Sequence, residues 1–324
     1  MGVKRRTLTE LGLVPPGTDK PTTGNVFYVK NSIGADGLSS AGHGKTPEHP
    51  FKTLDFAVGQ CTADQGDTII IMEGSDETIT STIAVDVAGI SIIALGAGQS
   101  RGMLTQGTSG SDNVMEISAD DVYLENIFFK GSTTGTSETF INVQGKDHIT
   151  IKNCVFEQNT KNLVAIEVDT LTDYLTIDGC TFTGVGAGPD SAIKFHMLTT
   201  GAGLATIKNP TIKNCVFNYT ESAGCDNGII LVSMSSGGVA GILIQDCQFI
   251  GLADGDSAIN PCGVTNGVAT GLVNRIAVLT ADVTDALVVS NLLGYIDVYL
   301  TAAGKRPAAT LGGSGMSPLA TQAL

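Results

Sequence analysis

Apolar and polar positions alternate in short bursts along this chain, and one burst recurs. Ile149-Thr-Ile151-Lys-Asn153-Cys154-Val-Phe156 returns as Leu175-Thr-Ile177-Asp-Gly179-Cys180-Thr-Phe182. It returns again as Pro210-Thr-Ile212-Lys-Asn214-Cys215-Val-Phe217 and as Ile242-Leu-Ile244-Gln-Asp246-Cys247-Gln-Phe249, and Val122-Tyr-Leu124-Glu-Asn126-Ile127-Phe-Phe129 is a looser copy. From Ile127 through Cys154, Cys180 and Cys215 to Cys247 the spacings are 27, 26, 35 and 32 residues. A fixed phrase separated by variable inserts predicts a solenoid. Within each phrase the period of two puts Ile149 and Ile151 on one face of a strand. The Asn, Asp or Gly then supplies the unusual backbone of a corner, and the next strand turns Cys and Phe inward while Lys152, Asp178, Lys213 and Gln245 face solvent.

A third apolar run follows each phrase, at Phe140–Val143, Val164–Val168, Ala192–Phe195 and Ile229–Val232. Three short strands per turn predict an all-β parallel β-helix with strands about 4.8 Å apart along its axis. Asn-Gly hairpin signals, which propellers and antiparallel sandwiches would need, are mostly missing. Stacking predicts two internal columns. One holds Ile127, Cys154, Cys180, Cys215 and Cys247; the other holds Phe129, Phe156, Phe182, Phe217 and Phe249. Thr68–Met72 and Ile90–Leu95 read as the first coils and Val288–Leu292 as a degenerate last one. Seven or eight coils give a rod on the order of 35–40 Å long. Phe51, Leu54, Val58 and Cys61, at helical spacing behind Pro50, predict a capping helix over the open end. The expected organisation is a basic extended arm (1–25), an opening strand, loop and capping helix (26–62), the β-helix (63–295) and a C-terminal tail (296–324).

Composition narrows the reading. Hydrophobic residues are 42% and charged residues 15% of the 324, so there is material for a core and no general case for disorder. The 41 glycines suit many tight turns and exclude an α-helical bundle. A net charge of -14 argues against nucleic acid as a partner, although Lys4, Arg5, Arg6, Lys305 and Arg306 make both ends basic. No apolar stretch is long enough to span a membrane, and residues 1–17 lack a secretory signal. Seven cysteines without a CxxC pair fit neither zinc nor a disulfide framework, and column cysteines read as small buried apolar fillers. No cofactor or metal is expected.

Phe27-Tyr-Val-Lys-Asn-Ser-Ile-Gly-Ala-Asp-Gly-Leu-Ser, then Thr46–Val58 and Gly66–Ile71, resemble the opening module of pectin-lyase-like right-handed parallel β-helix proteins. With the coils, the resemblance covers about residues 26–295. It implies a single-stranded right-handed solenoid and says little of activity, because that superfamily holds lyases, glycoside hydrolases, tailspikes and inert virion proteins. The polar arm and the Ala/Gly/Thr-rich end are closest in style to β-helix proteins of tailed-phage particles. That likeness implies a structural, non-enzymatic virion component assembled in the host cytoplasm. It would be a head-decoration or capsid-stabilising homotrimer bound to the major capsid protein or another virion protein. Lys4, Arg5, Arg6, Leu11 and Leu13 are the candidate capsid-binding residues, on a cationic and apolar segment that could order on an acidic shell.

An enzyme on this scaffold would work from an outer groove. Lyases of the superfamily hold calcium with clustered carboxylates beside an Arg or Lys base, and hydrolases need two carboxylates roughly 5–10 Å apart. Gly42-His43-Gly44, Asp120-Asp121 and Arg275-Ile276 match fragments of the polygalacturonase pattern in the wrong order, without its Asn-Thr-Asp, so His43 reads as a loop residue. Glu125, Glu157, Asp169, Asp173, Asp178 and Asp190 fall on outward positions and read as a solvated acidic wall. His148 and His196 read as isolated surface or corner residues. The absence of Trp and the six Tyr give little for sugar platforms. No catalytic residue is therefore assigned. A phage tailspike-type depolymerase, lyase or hydrolase, and a glycan-binding adhesin remain the alternatives.

Overall fold

The computed structural model describes residues 24–37, 42–107, 113–132, 139–159, 164–169, 171–185, 190–196, 206–219, 225, 227–230, 238–252, 257–260, 268–280 and 292–300. The arm residues Lys4, Arg5, Arg6, Leu11 and Leu13 lie outside them.

Every strand pairing among these residues is parallel, and the strands sort into three ladders, apart from Thr206–Lys208, which pairs with the start of Gly238–Gln245. The first starts at Val26–Val29 and climbs through Thr68–Ile71, Ser91–Ala94, Tyr123–Glu125, Thr150–Lys152, Thr176–Asp178 and Thr211–Lys213. It continues along Gly238–Gln245, Val268–Thr280 and Leu292–Leu300. The second runs from Asp76–Ile79 to Gln248–Leu252 and onto the later part of Val268–Thr280. The third has seven strands, from Ile83–Val85 to Ser257–Asn260. Ten rungs on the first ladder at about 4.8 Å each make a rod of roughly 45 Å, a coil or two longer than the repeats alone imply.

The extra length lies where the phrase decays. Leu272 to Val278 is a coil with Arg275 at the corner and Ile276 in the cysteine position, packed beneath Gln245 and Phe249. Leu292–Leu300 stacks on it, so the ladder runs past residue 295, where a departure from the coil was expected.

Corners explain the phrase. Between the first and second ladders Asn126, Asn153, Gly179, Asn214, Asp246 and Arg275 all have φ between 51° and 67°. Asn and Asp tolerate this left-handed region better than other side chains, and glycine has no Cβ to clash. Beyond each corner the chain turns Ile127, Cys154, Cys180, Cys215 and Cys247 fully inward. Strand pairing continues through them, each carbonyl accepting from the next coil. The cysteines are free thiols, and no disulfide joins described residues. Phe129, Phe156, Phe182, Phe217 and Phe249 form a parallel stack with centroids 4.9, 5.0, 4.7 and 4.4 Å apart.

The predicted helix is shorter than its periodicity. It spans Leu54–Val58, five residues, with Thr53 as N-cap accepting from the Phe56 N–H at 3.3 Å. Leu54, Ala57 and Val58 bury into the same core as the first coil. The helix ends in a turn at Gly59 and Gln60, and Cys61 follows it with its N–H on the Val58 carbonyl.

Candidate functional site

The outward carboxylates expected to form a solvated wall are mostly engaged with neighbouring coils. Asp120 Oδ1 accepts from the Asp147 N–H, Asp147 Oδ1 from the Asp173 N–H, and Asp173 Oδ1 from the Lys208 N–H, each at 2.9 Å. Asp173 also holds Lys208 Nζ at 3.0 Å, which raises the lysine's pKa. Asp178 accepts from Asn214 Nδ2 at 2.8 Å and lies 3.4 Å from Lys213 Nζ. Arg275 grips Asp246 through two nitrogens, and those hydrogen bonds bring the carboxyl down to about 2. Glu125 departs from the expectation. It points outward yet is buried, bonded by the Tyr123 hydroxyl at 2.8 Å and Asn153 Nδ2 at 3.3 Å. Glu157 and Asp190 are half-buried.

Among the described residues, the third ladder brings several acids and bases together. Register places Glu116, Asn142, Glu167 and Lys194 in one outward row and Asp169 beside His196 in the next. His196 is therefore not isolated. Its Nδ1 stands 3.0 Å from Glu167 Oε1 and 3.7 Å from Asp169 Oδ1, while Lys194 Nζ is 3.9 Å from the same Glu167 oxygen. Both acids therefore approach the same ring nitrogen from one strand. The cluster is recessed, with side chains 17% exposed at Glu167, 14% at Asp169 and 24% at His196. Burial, followed by the charge of Glu167, pushes the Asp169 carboxyl above its usual range, against the pull of His196 and a hydrogen bond from Asn142. Among the described residues no group of three or more His, Cys, Asp or Glu could hold a metal ion.

The remaining candidates have structural explanations. The ring of Phe51 lies where a Cβ on Gly44 would be, at 2.1 Å, and Gly42 and Gly44 both have positive φ, so Gly42-His43-Gly44 is a packing turn. His43 lies beside His49 and Phe51, with ring centroids 6.4 and 6.1 Å away. His148 sits on a corner at φ 58°, stacked on Tyr174 at 5.1 Å. Sequence reasoning picked out Asp169 and His196 singly but missed Glu167 and Lys194. Only the coil-to-coil register unites them.

No protein-family model matches the chain, and no curated protein matches it. Among solved structures a rhamnogalacturonan lyase superposes with a TM-score of 0.56 at 12% identity, over 78% of this chain and 68% of that one. The pectate lyase Pel9A gives 0.45 at 14%, over 91% and 82%, and ORF18 of Geobacillus virus E2 gives 0.26 at 11%, over 83% and 61%. The first likeness shows the fold, a right-handed parallel β-helix of the pectin-lyase type.

Proposed function

We propose that this β-helix is a structural component of a tailed-phage particle, attached through its N-terminal arm to the capsid or another virion protein and assembled as a homotrimer. The observation that carries the reading is the engagement of outward carboxylates by backbone and side-chain donors of the adjoining coil, from Asp120 to Asp246. Acids held this way stiffen a rod and leave little for chemistry. The basic ends on an acidic body, and the likeness of arm and tail to phage β-helix proteins, support the same reading. Imaging purified particles with this protein labelled should place it on the virion. Deleting residues 2–20 should abolish particle binding while leaving thermal unfolding nearly unchanged; retained binding would sink the attachment proposal. Light scattering that finds only monomer at micromolar concentration and low salt would sink the trimer.

The recessed Glu167–His196–Asp169 group favours a second reading, a polysaccharide depolymerase. Release of reducing sugar, or absorbance near 235 nm, from bacterial polysaccharides would support it if Glu167→Gln and Asp169→Asn abolish the signal. No release by the intact protein would leave the cluster as a charge network.

A further inference from the structure

The phenylalanine column has an unexpected head. Following the register upstream from Phe129 gives Leu104 and then Glu77, so a carboxylate holds the inward position that later coils give to aromatic rings. Glu77 is 6% exposed, and its Oε2 accepts a hydrogen bond of 2.9 Å from the N–H of Leu54, the first residue of the short helix. One side chain thus joins the helix to the first coil.

Three aspartates surround this joint. Asp36, on the loop before the helix, accepts from the N–H groups of Lys52 and Thr53 and from the Thr53 hydroxyl. Asp55, on the helix, accepts from the Ala84 N–H of the first coil's third strand. Asp76, the neighbour of Glu77 on its own strand, faces outward and takes the Thr105 hydroxyl. Lys52, the cation on the segment leading into the helix, is exposed. A cavity of about 200 Å³ lined by Thr53, Asp55, Glu77 and the 78–83 turn gives water a route to the carboxyl.

We infer that Glu77 is a proton-operated latch: in its neutral form it holds the helix on the first coil, and in its ionised form, facing Asp36 and Asp55 from within the core, it loosens that end of the rod. Burial is the main cause and the two aspartates add to it, outweighing the Leu54 N–H, so the group rises from 4.5 to about 7. The folded state keeps the proton between those values while the opened state gives it up. The latch therefore tightens below neutral pH and slackens above it.

Amide hydrogen exchange of residues 54–59 in the full chain reads this directly. After correction for intrinsic rates, opening should increase on the order of 70-fold from pH 5 to pH 8, most of it between pH 5 and 7. Glu77→Gln, whose amide oxygen can still accept from Leu54, should show an opening that does not change with pH. A pH-independent wild type, or the same dependence in the variant, would overturn the latch. Should the variant not fold, the carboxyl carbon of Glu77 can be titrated by NMR in the unmodified protein: a midpoint near 7 supports the proposal, and one near 4.5 ends it.

Discussion

Removing one ring from the aromatic column measures how much the stacked core contributes. Phe182 is fully buried, with its ring between those of Phe156 and Phe217 at 5.0 and 4.7 Å and nearly parallel to both. Phe182→Ala deletes the ring and leaves a void that two rigid neighbouring coils cannot fill by collapse, so the cost should fall at about 4–5 kcal/mol, the upper end for such truncations. Phe182→Leu keeps most of the apolar volume and loses the ring–ring contacts, each worth about 0.5–1.5 kcal/mol, so about 2 kcal/mol is expected. Phe249 has Phe217 at 4.4 Å on one side and Val278 in register on the other, so Phe249→Ala should cost about 1 kcal/mol less than Phe182→Ala. Urea unfolding, followed by far-UV circular dichroism, would give the three values. A loss below about 2 kcal/mol for Phe182→Ala, or equal losses for its Leu and Ala variants, would show that the ring is not held between its neighbours.

Two further outcomes follow from the corners. Asn214 combines φ 55° with a 2.8 Å bond to Asp178, so Asn214→Ala should cost about 2 kcal/mol and Asn214→Gly less than about 1, measured by the same unfolding assay. Equal costs would mean that backbone strain has no part in the choice of residue. Arg275→Ala should return the Asp246 carboxyl from about 2 toward its usual 3.8 in an NMR titration. The depressed carboxyl adds stability above pH 3.8 that is lost as pH falls toward 2, and the variant should lose that acid sensitivity.

The solenoid was legible because a β-helix sets equivalent side chains directly over one another. Whatever fits the interior once must fit it again, so Asn-Cys-x-Phe recurs. The same logic fails where the fit changes. At Leu272–Val278 an arginine takes the left-handed corner and isoleucine the thiol's place, and nothing local marks a coil. Glu77 is hidden for another reason. Asp76-Glu77-Thr78-Ile79 is an ordinary alternation, and only the register with Leu104 shows that the glutamate faces the core. The acid–base group on the third ladder was half legible, since Asp169 and His196 stood out singly while their meeting depends on a pairing between separate coils.

Stacking has an electrostatic consequence that bears on function. A solenoid that repeated its outward charges would place like charges about 4.8 Å apart along every row. This chain avoids that on the first ladder by alternating sign, with Glu125, Lys152, Asp178, Lys213 and Gln245 in register. Partly exposed pairs of this kind, such as Asp178 and Lys213, contribute little each, up to about 1 kcal/mol, but they remove a repulsion that would oppose winding. At the neighbouring corner Asp120, Asp147 and Asp173 do stack like on like, and there each carboxylate has a backbone N–H from the next coil. Both devices serve the rod itself. Glu167 and Asp169 also face opposite charge in register, Lys194 and His196, but they add something to that device: two acids on one strand share one imidazole, and burial raises the Asp169 carboxyl. A wholly structural surface has no need of that arrangement, so the third ladder is where the structural and enzymatic readings part, and substitution at Glu167 and Asp169 separates them.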